Sequence, residues 1–146
     1  HITVLSPPTV FIARDRYKLN LLASTSEEYI NFISGIIVSE RTLREKPGIV
    51  KRTLRAMAKA NRFFFANENE SAEILAKYLN VSQAVALDTY RSSRPAFTRN
   101  AIPSEKEVEE NLKSDMQFLN MKTPVKSSAV FDFSMQREVN GELGIK

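Results

Sequence analysis

The sequence of 146 residues predicts an α/β fold that is rich in helix and has few, parallel-type strands. The evidence for strands is the contiguous apolar run Ile36–Val38, because an uninterrupted β-branched run is typical of a strand covered on both faces. The evidence for helices is the apolar spacing of three or four residues that recurs after Val38. Hydrophobic residues make up 42% and charged residues 26%, as in ordinary globular domains.

The first third of the chain is predicted to alternate strand and helix. A β-rich run over Ile2–Leu5 predicts the first strand, and Ser6-Pro7-Pro8 predicts the start of a helix, since serine is a good N-cap and proline suits the first helical turn. A second apolar run covers Leu19–Ala23. The segment Ser34–Ser39 predicts the third and clearest strand.

Helices are predicted over the rest of the chain. Their expected positions are Glu40–Glu45, Pro47 to about Ala66, Ser71–Leu79, Ser82 to about Ser92, a helix opened by the capping box of Ser104 and Glu107, and a last helix after Phe131-Asp132. The fifth of these has an apolar stripe, predicted to be core, at Val108, Leu112, Met116 and Leu119.

Three short strands cannot cover so many helices, because a small parallel sheet leaves unpaired edges and too little apolar area. The chain also opens on a strand-like run with no initiator Met or signal peptide. We therefore expect a piece of a longer protein. We also expect an apolar surface that faces solvent, self-association, or a second chain that completes the fold.

Several function classes are excluded by composition. The chain has no cysteine, which excludes disulfides, thiol nucleophiles and cysteine-ligated zinc. Its one histidine is His1, at the terminus. There is no G-x-S-x-G motif, no P-loop and no dinucleotide fingerprint, and no apolar run reaches the length of a membrane span. These absences remove thiol and internal-histidine catalysis and nearly all histidine-containing metal sites, and we expect no metal site.

Two charged clusters have a functional and a structural interpretation. A basic stripe is formed by Lys51, Arg55, Lys59 and Arg62. It could bind a polyanion, but no aromatic residues interleave with it, which favours a solvated helix face and no nucleic-acid partner. The glutamates between Glu105 and Glu110 could act as acid/base groups, but a place in the first turns of a helix is explained by the helix dipole.

A phenylalanine run and a serine also have a functional and a structural interpretation. The run Phe63-Phe64-Phe65 could be a docking patch, although packing of the outlying ring under a neighbouring helix or loop explains it more simply. Ser6 lies where a predicted strand ends and a helix begins, which is where open α/β sheets bind ligands. Its hydroxyl is expected either to bind a polar or anionic ligand or to cap its own helix, and the spacing does not decide between them.

Six segments together resemble a known family. They are Val4–Pro8, Gly35–Pro47, Val50–Ala56, Ala72–Leu79, Arg94–Thr98 and Phe131–Asn140. In this order they resemble the carboxyl-terminal half of the solute-binding proteins of nitrate/sulfonate/taurine-type ABC importers. The same family includes thiamine-pyrimidine-synthase-like proteins.

The resemblance implies a two-lobed periplasmic-binding-protein fold of type II. Residues 1–33 would then form the end of the second lobe and the approach to the hinge, and residues 34–146 the returning hinge strand and the helices of the first lobe. The implied function is extracytoplasmic: such proteins bind a small polar or anionic organic solute between the lobes and deliver it to a membrane permease, without a cofactor and without chemistry.

The resemblance also implies a ligand-binding set. Ser6 and Thr9 would line the cleft, and Phe32, Ser34 and Gly35 would lie at the hinge crossing beside the solute. Sulfonates, nitrate, pyrimidines and small aromatic acids all remain open as ligands. The alternative is a pyrimidine-synthase-like enzyme, but those enzymes need a cysteine-rich motif and an internal histidine that this sequence lacks.

Overall fold

A computed structural model describes residues 2–24 and 35–145, and their regular structure is helical. The α-helices are α1 (Thr9–Tyr17), α2 (Glu40–Glu45), α3 (Pro47–Ala66), α4 (Glu68–Leu79), α5 (Gln83–Ser93), α6 (Glu105–Phe118) and α7 (Ser134–Leu143). Short 3₁₀ helices cover Arg94–Ala96 and Ser127–Ala129.

The predicted α/β fold is wrong, because no residue in the two described ranges forms a strand. The predicted strands Ile2–Leu5 and Leu19–Ala23 and the described part of the third, residues 35–39, have no regular structure. Val4 and Ile37 are each 94% exposed. The type II periplasmic-binding-protein fold that the resemblance implies is wrong for the same reason, because it requires a sheet and the described residues form none. A β-branched run favours a strand only where another strand supplies hydrogen bonds, and these segments pair with none in the described residues.

The helix boundaries are mostly as predicted, since their signals are local. Ser39 caps α2 by accepting a hydrogen bond from the Thr42 amide, and Ser82 caps α5 in the same way. Ser104 and Glu107 form the predicted capping box of α6. Gly144 ends α7 in the left-handed conformation, which glycine adopts without the steric cost of a side chain.

The chain divides into two compact units. Unit 1 combines His1–Thr25 with Arg62–Phe97, and unit 2 combines Ser26–Asn61 with Thr98–Lys146. Helix α3 begins in unit 2 and ends in unit 1. The division into residues 1–33 and 34–146 refers to lobes of a longer protein and stays a prediction.

Unit 1 is built on the pairing of α4 with α5. Ala72 and Ala86 are completely buried, and such small side chains let two helix backbones approach closely. Helix α1 also packs on α5: Ala13 is buried there, and the Arg14 guanidinium pairs with the Asp88 carboxylate at 2.6 Å. Because both side chains of this pair are partly exposed to solvent, it orients α1 more than it stabilises the unit.

Aromatic side chains complete unit 1. The Phe64 ring lies 4.5 Å from that of Tyr90 and 5.2 Å from that of Phe97, and the Arg94 guanidinium lies over the Phe65 ring. Phe63 remains 42% exposed. Phe64 and Phe65 therefore have packing partners in unit 1, whereas the packing of the outlying ring that the simpler interpretation expected is not seen at Phe63.

Unit 2 joins the first part of α3, α6 and α7. Val50, Ala58, Val108 and Val139 are its buried apolar side chains in the described residues. Two asparagines hold the segment that precedes α6. Asn61 donates to the carbonyl oxygen of Thr98 at 2.6 Å, and Asn140 donates to that of Asn100 at 2.8 Å. The side-chain amides of half-buried Asn61 and buried Asn140 thus satisfy backbone acceptors that lie outside any helix.

Candidate functional site

The start of α1 is the first candidate site, because it holds two of the predicted ligand residues. The N-cap of α1 is Pro8, and no side chain caps this helix. The Ser6 carbonyl accepts from the Val10 amide at 3.2 Å, but the Ser6 hydroxyl makes no cap bond. The interpretation of Ser6 as the cap of its own helix is therefore wrong, since the chain places the cap position two residues later.

This helix start presents two hydroxyl groups to solvent. Ser6 and Thr9 are both exposed and lie within about one turn of each other. The first turn of α1 contains no acidic residue, so the positive end of the helix dipole is not compensated by a neighbouring carboxylate. The local arrangement can donate hydrogen bonds to a polar or anionic group. No described residue forms the predicted sheet edge beside Ser6, so in this part of the chain the site depends on the helix start alone.

The other predicted ligand residues do not join this pair in the described structure. Phe32 and Ser34 lie outside the described residues. Gly35 is exposed and belongs to unit 2, and a Cβ atom added there would meet nothing within 4 Å. No close approach of another group therefore requires glycine at this position.

A groove in unit 2 is the second candidate site. It lies between α6 and the 3₁₀ helix Ser127–Ala129 and has a volume of about 520 Å³. Its floor consists of the half-buried side chains of Leu112, Met116 and Val125. The exposed residues at its rim are Glu109, Lys113, Lys126, Ser127 and Ser128. In the described residues neither lysine forms an ion pair.

The sequence predicts buried core at this place and not a groove. Leu112 and Met116 were predicted as core, but the segment facing them covers only part of the stripe, and Leu119 is 63% exposed. One signal was present in the sequence. Lys113 lies beside Leu112 at the edge of the apolar stripe, and the polar run Lys126-Ser127-Ser128 follows the apolar Val125.

Part of the basic stripe, Lys51 and Arg55, is paired with carboxylates of α7. The Lys51 ammonium contacts the carboxylates of Glu138 at 2.9 Å and Glu142 at 2.8 Å, and Arg55 also pairs with Glu142. The hydrogen bonds from Lys51 and Arg55 lower the pKa of Glu142, and those to Glu142 and Glu138 raise the pKa of Lys51. Lys51 and Arg55 are therefore engaged by α7 within unit 2, which disfavours a polyanion surface on this stripe.

The acidic cluster of α6 has a structural role at Glu107. Its carboxylate accepts from the backbone amide and from the hydroxyl of Ser104, each at 2.7 Å, and the backbone bond is the main cause of its lowered pKa. Over residues 2–24 and 35–145, no three potential ligand side chains come together to hold a metal ion.

In the part of the chain that the structure describes, none of the helices has the length and apolar character needed to cross a bilayer. Comparison of the chain with known protein families, with curated proteins and with solved structures gives no match.

Proposed function

We propose that this chain binds a small polar or anionic organic solute and that it works as the solute-binding component of an ABC importer. The start of α1 is the binding surface in this proposal, with Ser6 and Thr9 as hydrogen-bonding residues. Solute binding needs no catalytic group, so the chain is proposed to act as a binding protein and to leave its ligand chemically unchanged.

The observation that carries the proposal is that the exposed Ser6 hydroxyl caps no helix end among the described residues. A serine beside a helix start commonly caps that helix. Ser6 does not cap α1, because Pro8 occupies the N-cap position. The hydroxyls of Ser6 and Thr9 are exposed at a helix end that lacks acidic residues. An anionic or strongly polar group is the ligand that such an end favours.

The ordered resemblance to the importer-type solute-binding proteins supports the same function from the sequence. Its segments run from Val4–Pro8 to Phe131–Asn140, and the first of them contains Ser6. The importer role rests on this resemblance, whereas the polar or anionic nature of the solute also rests on the helix start. A membrane permease is the partner that this role requires.

Isothermal calorimetry on the full chain tests the proposal with four probes, namely taurine, nitrate, benzoate and an aminopyrimidine. We expect at least one to bind saturably. Ser6→Ala and Thr9→Ala should each weaken that binding by about fivefold, because a lost hydrogen bond contributes about 1 kcal/mol.

Thr123→Ala is the matched control, since Thr123 is an exposed hydroxyl residue outside both candidate sites. It should leave the affinity unchanged. The proposal would be contradicted if none of the four probes bound, or if the two α1 variants bound as tightly as the control.

A further inference from the structure

We propose that the groove between α6 and Ser127–Ala129 is a binding site for a small amphiphilic carboxylate, an anionic head group on a short apolar chain. This inference goes beyond the proposed function, because it uses none of the residues of the α1 site. It rests on the groove's apolar floor, on its charge and on its size.

The floor selects for an apolar tail. Leu112 and Met116 lie one helical turn apart on α6, and Val125 faces them from the segment that leads into the 3₁₀ helix. All three are half-buried, so the groove exposes apolar surface that a hydrocarbon chain would remove from water. A volume of about 520 Å³ lies within the range of small-molecule sites.

The rim selects for an anionic head. Lys113 and Lys126 line the same groove from its two sides, one on α6 and one on the opposite segment. Neither lysine is engaged in an ion pair within the described residues, in contrast to Lys51 in the same unit. The hydroxyls of Ser127 and Ser128 add donors beside Lys126.

Because the groove lining also contains Glu109, the effect of charge on binding can be tested by removing either a negative or a positive charge. Among the described lining residues Glu109 is the one carboxylate against two lysines, which leaves them with a net positive charge. A bound carboxylate would be repelled by Glu109 and attracted by the two lysines. Removal of the glutamate charge should therefore strengthen binding, and removal of either lysine charge should weaken it.

The test is calorimetric titration of the full chain with octanoate. We expect saturable binding with a Kd on the order of 1 mM, as befits a ligand of this size on an open groove. Lys113→Gln and Lys126→Gln should each raise Kd by about threefold to fivefold, and Glu109→Gln should lower it by a similar factor. Acetate, which lacks the tail, and 1-octanol, which lacks the charge, should bind far more weakly.

Lys77→Gln is the matched control, because it removes one lysine charge from α4 in unit 1. The inference is overturned if octanoate does not bind, or if Lys77→Gln weakens binding as much as the groove variants do. It is equally overturned if acetate or 1-octanol binds as tightly as octanoate. Ser6→Ala should leave octanoate affinity unchanged, so that failure of the groove and failure of the α1 site are seen separately.

Discussion

At the residue scale, Tyr90 shows how one side chain fixes the end of a helix. It is 1% exposed, and its hydroxyl donates to the Phe64 carbonyl at 2.7 Å. Phe64 is in the last turn of α3, where carbonyl groups have no partner within the helix. The Tyr90 hydroxyl thus supplies a donor that the helix end lacks. No sequence pattern predicts this contact, because the two residues are 26 positions apart.

Tyr90→Phe should lower the free energy of unfolding by about 1 to 2 kcal/mol, because it leaves a carbonyl unpaired in a buried place while keeping the aromatic ring. Urea denaturation followed by circular dichroism measures the change. Tyr78→Phe is the control, since Tyr78 is 85% exposed and its loss should alter stability by less than about 0.5 kcal/mol. Equal effects of the two substitutions would refute a role for the Tyr90 hydroxyl.

At the element scale, helix starts and caps could be predicted because they depend on neighbouring residues. Strands could not, because they depend on contacts distant in sequence. The capping box of Ser104 and Glu107, the serine cap of α5 and the start of α3 at Pro47 all depend on residues within one turn. A strand depends on a partner strand that is distant along the chain, so the apolar run Ile36–Val38 alone wrongly predicts a strand. The cap of α1 was also misplaced, because serine and proline are both good starting residues and the chain uses Pro8.

The capping box of α6 predicts a pH-dependent stability. Hydrogen bonds from Ser104 lower the pKa of Glu107 in the folded chain. A lowered folded pKa means that the stabilisation is complete above the ordinary glutamate pKa, about 4.5, and is lost as the pH falls through the lower folded value. Glu107→Gln should therefore reduce the loss of stability between about pH 5 and pH 3.

Urea denaturation at a series of pH values measures this effect. Glu105→Gln is the control, because Glu105 is in the same first turn but takes no part in the capping box. It should retain more of the pH dependence than Glu107→Gln does. If the two variants had the same pH profile, the Glu107 carboxylate would not stabilise α6 through the cap.

At the scale of the whole molecule, each unit has a small apolar core and carries exposed apolar segments. The buried side chains are mostly alanine and valine, whereas Ile2, Val4, Leu22 and Ile37 are largely exposed. The sequence predicts an apolar surface left uncovered by an incomplete sheet, whereas in the described residues the apolar runs form no sheet. Self-association, or a second chain that covers these runs, stays a prediction.

Of the candidate sites, only the pair at the start of α1 could be predicted from sequence. Ser6 and Thr9 are close along the chain, so their spacing fixes their proximity. The groove forms only because the chain folds back and brings the segment around Lys126 against α6. The local residue pattern does not predict this contact. For the same reason Leu112 and Met116 were indistinguishable from core residues.

The central claim is that a polar or anionic solute binds at the start of α1, and amide chemical shifts test it most directly. The measurement is a titration of the ¹⁵N-labelled chain with taurine, nitrate, benzoate and an aminopyrimidine. We predict saturable shift changes that are largest at the amides of Ser6, Thr9 and Val10 for at least one probe and that are lost in Ser6→Ala. Changes confined to other parts of the chain, or none with any of the probes, would contradict the claim.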